Sequence, residues 1–478
     1  MLGPKKPPAS LPHQEEGSRF LRERTSAALF DEQGLGKSKQ LIDAIGKDIA
    51  EGVLDAALII CPNNVKTTWS EEIEQHSSHR YAVFGAGRKA RRDAFRSLRA
   101  AFYVINYEAV AAELTSLKAL LRFKRIALVL DESHRIKTPG ARVTRAVHAL
   151  RRDAAKRYIM TGTPVANKPE DLWSQLFFLD DGAALGSTFQ AFRARFCSPA
   201  GGYTRIEDIR DQLASLALRR EKEGTVRLPP KTVTRVSVNL SSSQLRMYSA
   251  LRNELALWVR NMSGEEVLAQ ADNILTRLIR LAQLASNPAL LDTRYQETPA
   301  KFAALDELLP LYLANPRQKV IIWTSFIGNI PALLRRYRAL RPVALYGKMD
   351  GDARDASVKA FKTDSGVRLL VANPAAAREG LTLTQASTAI YLDRTFNLVD
   401  FLQSQDRIHR LSQEQPCEIV LLIADQTIDE FIDFSLAQKH RLARYTQGDA
   451  ETISAADLAL DKPNLLRALL SPEDARAE

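Results

Sequence analysis

Short apolar runs, continuous rather than alternating, recur in two blocks along this chain. Each run is followed by a polar turn and a stretch of helical periodicity. From about residue 25 to 180 the runs are AALII (Ala56–Ile60), FYVIN (Phe102–Asn106), IALVLD (Ile126–Asp131) and RYIMTGT (Arg157–Thr163). A strand that is apolar on both sides must be covered on both sides, and strand–helix alternation joins parallel neighbours through crossover helices. The rhythm stops near residue 220. It resumes with KVIIWTSF (Lys319–Phe326), VALYG (Val343–Gly347), RLLVAN (Arg368–Asn373), AIYLD (Ala389–Asp393) and EIVLLIAD (Glu418–Asp425). The pattern predicts an α/β chain with two parallel-sheet lobes in tandem. Between them RREKEGTVRLPPK (Arg219–Lys231) reads as a linker, and Gln244–Leu290 reads as largely helical, with Ile274, Leu278, Leu281 and Leu284 on one apolar face.

Composition narrows the class. At 478 residues two to four domains are expected. No apolar run approaches the ~20 residues of a membrane span, and the amino terminus lacks the apolar core of a secretory signal. Cys61, Cys197 and Cys417 are too widely spaced for a disulfide framework or paired zinc ligands. These features point to a reducing, cytoplasmic setting. Lys and Arg number 67 against 56 Asp and Glu, a net charge of +11 that suits a polyanionic partner or, more blandly, a solvated surface.

The stretch DEQGLGKS (Asp31–Ser38) fits the end of the phosphate-binding pattern G-x-x-x-x-G-K-[ST], but Asp31 stands where the first glycine belongs. Gly34 and Gly36 let the backbone turn its N–H groups toward a phosphate. Lys37 would set a cation against the terminal phosphates, and Ser38 would offer its hydroxyl to Mg2+. A helix over about Ser38–Glu51 would present its positive end to the same anion. A ligand-free strand–helix turn is the alternative for this stretch alone. ALVLDESH ends a buried run in Asp131 and Glu132, at the strand end where α/β sheets bind ligands. There Asp131 can hold Mg2+ and Glu132 can polarise a water for in-line attack on a γ-phosphate. A pair of solvated acids is the commoner explanation of such an ending when it stands alone. In QSQDRIHR (Gln403–Arg410), Arg407 and Arg410 are expected one turn apart on a helix, able to stabilise transition-state charge or simply to form a basic face.

Taken in order, these segments resemble the superfamily-two helicases, and within them the Swi/Snf-type ATPases, over about residues 10–435. DEQGLGKS is similar to that family's own phosphate loop, which carries Asp at the position of Asp31. LPHQEEG resembles the segment whose glutamine, here Gln14, reads adenine. IICPNNVKTTWSEEI (Ile59–Ile73), with Pro62 and Trp69, resembles motif Ia; VINYE (Val104–Glu108) resembles Ib; TGTPVANKPEDLW (Thr161–Trp173) resembles motif III. LRREKEGTVRLPPK, LSSSQLRMY (Leu240–Tyr248) and LAQLASNPALL (Leu281–Leu291) match the pattern between lobes that sets the Swi/Snf type apart. IIWTSF, YGKMDGDARDASVKAFK, QSQDRIHRLSQ and QTIDEFI complete the second lobe. Motif V, NPAAAREGLTL, departs by carrying Ala377 and Arg378 where most members have glycines; Gly380 remains. Such versions resemble compact bacteriophage or bacterial members.

The resemblance implies two RecA-like lobes, residues 1–220 and 301–445, with a linker and helical protrusion over 221–300 and a polar tail over 446–478. It implies a DNA-stimulated ATPase that uses ATP and Mg2+ and moves along double-stranded DNA, 3′ to 5′, as a monomer. Gln14, Gly34, Leu35, Gly36, Lys37, Ser38 and Gly380 would hold the nucleotide, and Ser38 and Asp131 the metal. Lys37, Asp131, Glu132, Arg407 and Arg410 would be catalytic, the arginines closing on ATP from the second lobe. Pro62, Asn106, Tyr107, Thr324 and Ser325 would contact DNA, forked or branched forms included. A nucleoid setting, without membrane and with protein partners in a phage or bacterial complex, goes with this. The alternatives are a strand-separating helicase, a motor subunit of a larger repair, replication or restriction complex, and a non-hydrolysing DNA scaffold.

Overall fold

The computed structural model describes residues 9–85, 87–96, 99–198, 202–260, 262, 266, 269–377 and 381–458. They form two compact units. The first comprises the described residues of Met1–Pro199 with Tyr203–Arg227 and Arg441–Leu458; the second holds Leu228–His440.

The first unit is built on β1 (Ser26–Leu29), β2 (Ala56–Cys61), β3 (Tyr81–Val83), β4 (Phe102–Asn106), β5 (Ile126–Asp131), β6 (Lys156–Met160) and β7 (Ala217–Leu218). Their order in the sheet is β3-β4-β2-β5-β6-β1-β7, and every pairing is parallel. The continuous apolar runs have the cause inferred from sequence. Leu58, Ile60, Leu128 and Leu130 point into one core layer, while Ala57, Ile59, Ala127 and Val129 point into the opposite one. Burying a Leu or Ile side chain contributes roughly 1.5–3 kcal/mol, so both layers fix the sheet. Three helices position the site: α1 (Pro12–Arg22), α2 (Lys37–Ala50) and α3 (Lys66–His76). Leu41, Ile42 and Ile45 of α2 are buried against the sheet as their spacing requires.

The second unit is built on β8 (Lys231–Val238), β9 (Val320–Trp323), β10 (Val343–Leu345), β11 (Leu369–Ala372), β12 (Thr388–Tyr391) and β13 (Cys417–Ala424). Their order is β10-β11-β9-β12-β13-β8, again all parallel. The helices Ser242–Arg260 and Ala271–Ser286 follow β8, and Ile274, Leu278, Leu281 and Leu284 are buried together. Two predicted features differ. The stretch read as a linker runs into a strand: β8 has the alternating sequence KTVTRVSV and a mostly exposed edge. Residues 441–445, expected in the second lobe, belong instead to the first unit, where Leu442, Ala443 and Tyr445 are buried. No described helix is long and apolar enough to cross a membrane.

Candidate active site

In the first sheet β1, β6, β5, β2 and β4 are successive neighbours. Their carboxyl ends therefore deliver Asp31–Lys37, Thr161, Asp131–Glu132, Pro62 and Asn106–Tyr107 to one edge. This is where a parallel α/β sheet binds ligands.

The phosphate loop leaves β1 and enters α2 through Gly34 and Gly36, at φ 94° and 76°. At Gly36 the left-handed backbone excludes other residues, and a Cβ there would run into the Gln14 amide. Gln14 is buried, and its Oε1 accepts from the Leu11 N–H at 3.0 Å. Leu35 is buried, and its carbonyl lies 3.0 Å from His13 Nε2. Lys37 and Ser38 open α2, half-buried. The Lys37 ammonium donates to the Asp31 carbonyl at 2.7 Å and the Glu32 carbonyl at 3.3 Å. Desolvation lowers its pKa against the opposing pull of Glu132, Asp31 and Asp131. The cation is thus held ready among three carboxylates, where an arriving phosphate would meet it in a low dielectric.

Asp31 itself is wholly buried and takes no part of the loop's surface. It accepts from Gln40 Nε2 at 3.0 Å, and from Arg220 Nε at 3.0 Å and Nη2 at 2.6 Å. Arg219 beside it donates to the Phe30 carbonyl at 2.6 Å and pairs with Asp449 at 2.8 Å. The two arginines of the supposed linker are thus structural parts of the phosphate loop.

Asp131 and Glu132 end β5. Glu132 has the left-handed φ of 51°, a costly conformation for a non-glycine residue and one that concentrates at functional sites. Burial, then the neighbouring Glu132 charge, raises the Asp131 carboxyl above the usual range. Burial works in the same sense on Glu132, but hydrogen bonding and charge from His134, and the Lys37 cation, hold it low. Glu132 Oε2 accepts from Thr161 Oγ1 at 3.1 Å, and His134 Nδ1 lies 3.2 Å from that hydroxyl. The pair therefore offers one ionised, hydrogen-bonded carboxylate, and one that gains most from a nearby cation. Among the described residues no group of three or more His, Cys, Asp or Glu is arranged to hold a metal. A Mg2+ held by Asp131 and Ser38 fits this donor set, since Mg2+ commonly takes the rest of its shell from phosphates and water.

The positions expected on DNA fall differently. Pro62 is buried at the start of the Asn63–Val65 turn, whose two asparagines are exposed. Asn106 donates to Glu108 Oε2 at 2.8 Å. Tyr107 is buried and donates its hydroxyl to the Asp131 carbonyl at 2.7 Å, so its side chain serves the carboxylate loop. In the second unit Thr324 is wholly buried and donates to Asp393 Oδ2 at 2.8 Å, while the Ser325 N–H donates to Asp393 Oδ1 at 2.6 Å. A strand contact there would fall to Ser325.

Arg407 and Arg410 do not share a helix face, because the helix Leu398–Gln405 ends before them, with Asp406 as its C-cap. Arg407 is buried and donates to the Gln403 carbonyl at 2.8 Å and the Leu381 carbonyl at 3.0 Å. Arg410 is half-buried and donates to Thr382 Oγ1 at 3.0 Å. Ala377 is buried; Arg378 and Gly380 lie outside the described residues.

Sequence reasoning missed four partners: Trp69, Thr161, His134 and Arg220. All four stood inside recognised segments, but nothing local tied Arg220 to Asp31, 189 residues away.

Glu132→Gln keeps the shape of the site and removes a base. It is expected to lower ATP turnover about 10²-fold with little change in nucleotide affinity, measured by phosphate release and nucleotide binding.

The family model described as SNF2-related domain matches residues 13–290, and that of the helicase conserved C-terminal domain matches residues 300–412. The chain is 27% identical to "Chromodomain-helicase-DNA-binding protein 1-like" of Danio rerio, over 90% of this chain and 43% of that protein. It is also 27% identical to the "SWI/SNF-related matrix-associated actin-dependent regulator of chromatin subfamily A-like protein 1 homolog" of Caenorhabditis elegans, over 94% of this chain and 63% of that protein. It spans less than two thirds of either relative. Among solved structures it is similar to the "Sulfolobus solfataricus SWI2/SNF2 ATPase core in complex with dsDNA", at 27% identity and a TM-score of 0.44, covering 92% of this chain and 94% of that one.

Proposed function

This chain belongs to the SNF2-related family and is an ATP hydrolase of the Swi/Snf type, and from that premise we propose that it is a DNA-stimulated motor that translocates on double-stranded DNA. The observation that carries the reading is the convergence of the Lys37 loop with Asp131 and Glu132 at the carboxyl edge of one sheet. Gly34, Leu35, Gly36, Lys37 and Ser38 cradle the phosphates, and Gln14, against the loop, reads the adenine. Asp131 and Ser38 would hold Mg2+, which would supply positive charge against the phosphates. Glu132 takes the proton of the attacking water, and the Thr161 hydroxyl reports its state to the segment after β6. In the second unit Arg407 and Arg410 are assigned to the transition-state charge by family resemblance, Arg407 also donating to the Leu381 carbonyl. Gly380 is assigned to the nucleotide by family resemblance.

DNA is gripped mainly through its phosphates, which suits a chain of net charge +11. The loops at Pro62 and Asn106, with Ser325 in the second unit, are the assigned contacts. Movement runs 3′ to 5′ on the tracked strand. The protein acts on DNA or on protein–DNA complexes in a bacterial or phage-infected cell.

The test is ATP turnover measured across duplex DNA, single-stranded DNA, forked DNA and RNA. Duplex DNA is expected to stimulate most, with the logarithm of affinity falling linearly against the logarithm of salt concentration. Turnover indifferent to duplex DNA would overturn the reading. Separation of the strands of a fork would turn it into that of a helicase.

A further inference from the structure

Asp131 is held from two directions by aromatic donors. The indole N–H of Trp69, from α3, donates to Asp131 Oδ2 at 2.8 Å. The Tyr107 hydroxyl donates to the Asp131 main-chain carbonyl at 2.7 Å. The other carboxylate oxygen, Oδ1, accepts from the Glu132 N–H at 3.0 Å. Trp69 and Tyr107 are 2% and 1% exposed, so their polar atoms have little access to water. A buried indole can be satisfied by any carbonyl, as Trp173 is by Gly186 at 2.9 Å. Trp69 instead spends its one N–H on the Asp131 carboxyl.

Both donors sit directly behind the loops assigned to DNA. Trp69 lies on α3, which starts where the Asn63–Val65 turn ends. Tyr107 follows Asn106 at the end of β4. A shift of either loop would therefore pull on Asp131 through one hydrogen bond of fixed length.

We propose that Trp69 and Tyr107 are positioning residues that orient Asp131 toward its divalent cation and tie that orientation to the two DNA-side loops. The proposal rests on the reading of Asp131 as the metal ligand. Partners that orient a metal ligand in this way are commonly worth 10- to 100-fold in metal affinity.

The test uses the full chain with a non-hydrolysable ATP analogue and reads Mn2+ binding by electron paramagnetic resonance. Trp69→Phe keeps the ring and loses the N–H; it is expected to weaken Mn2+ about 10- to 100-fold while metal-free nucleotide affinity stays unchanged. Tyr107→Phe keeps the ring volume and should shift Mn2+ affinity in the same direction by less. Duplex DNA should tighten Mn2+ in the native chain and do so less in Trp69→Phe. Folded Trp69→Phe and Tyr107→Phe variants that hold Mn2+ as tightly as the native chain would overturn the proposal. Equal tightening by DNA in native and Trp69→Phe chains would sever the link to the loops. Asp131→Asn serves as the separate control: unchanged Mn2+ binding there would remove the metal reading itself.

Discussion

Lys37→Ala is expected to lower ATP turnover by at least about 10³-fold and to leave the chain folded. The cation is held at the mouth of the loop by the Asp31 and Glu32 carbonyls, close to where charge would move onto the γ-phosphate oxygens. That preorganisation is what a water or a mobile surface lysine cannot replace. Its loss also removes from Asp131 and Glu132 a charge that now lowers both carboxyls. Folding should tolerate the change for three reasons. Alanine is the best helix former, and position 37 opens α2. The ammonium is itself disfavoured by desolvation. The hydrogen bonds lost, to the Asp31 and Glu32 carbonyls, are worth about 1.5–3 kcal/mol each, offset by the desolvation that alanine does not bear. Lys37→Arg should fail as well, because a planar fork does not replace a compact point charge. Phosphate release under saturating duplex DNA, beside a thermal melt of each variant, measures both claims. Turnover within tenfold of native would remove Lys37 from the site.

What could be read from the sequence divides along a physical line. Strands β2, β4, β5, β6 and β9 to β13 were legible because their runs are largely apolar and, β10 apart, most of their residues are buried. β1, β3 and β7 were not: β1 is SAAL, whose alanines favour helix, β3 is a partly buried edge strand, and β7 pairs through two half-buried residues. β8 hid behind two prolines and a charged run, although its alternation is that of an exposed edge strand. In the site, the residues named from local spacing, Gly34 to Ser38 and Asp131 with Glu132, all lie at the carboxyl edge of the first sheet. The residues that brace them were invisible as such. Trp69 meets Asp131 across 62 residues and Arg220 meets Asp31 across 189, and no periodicity records a hydrogen bond between distant turns. Thr324 and Tyr107 show the converse. Their segments were recognisable, but which way each side chain points depends on the Asp393 carboxylate and the Asp131 main-chain carbonyl, groups at the ends of other strands.

Restoring the usual glycine at the head of the phosphate loop is expected to damage this protein. Asp31 is fully buried and bears two hydrogen bonds from Arg220, whose side chain is only 13% exposed. In Asp31→Gly that guanidinium keeps Gln40 Oε1, at 2.8 Å, and loses its buried counter-charge. Removing one partner of a buried ion pair costs about 3–5 kcal/mol, because the other charge stays desolvated. Glu16, 3.1 Å from Arg220 and about half exposed, recovers at most about 1 kcal/mol. The new glycine adds backbone freedom to the unfolded chain, which acts in the same direction. The expected result is a lower denaturation midpoint for Asp31→Gly, with part of the loss regained in Asp31→Gly/Arg220→Met, where the orphaned charge is gone as well. The aspartate in this loop is then explained by an arginine far along the chain rather than by the nucleotide. An Asp31→Gly chain as stable as the native one, or a double variant less stable than the single, would show that the pair does not hold the loop.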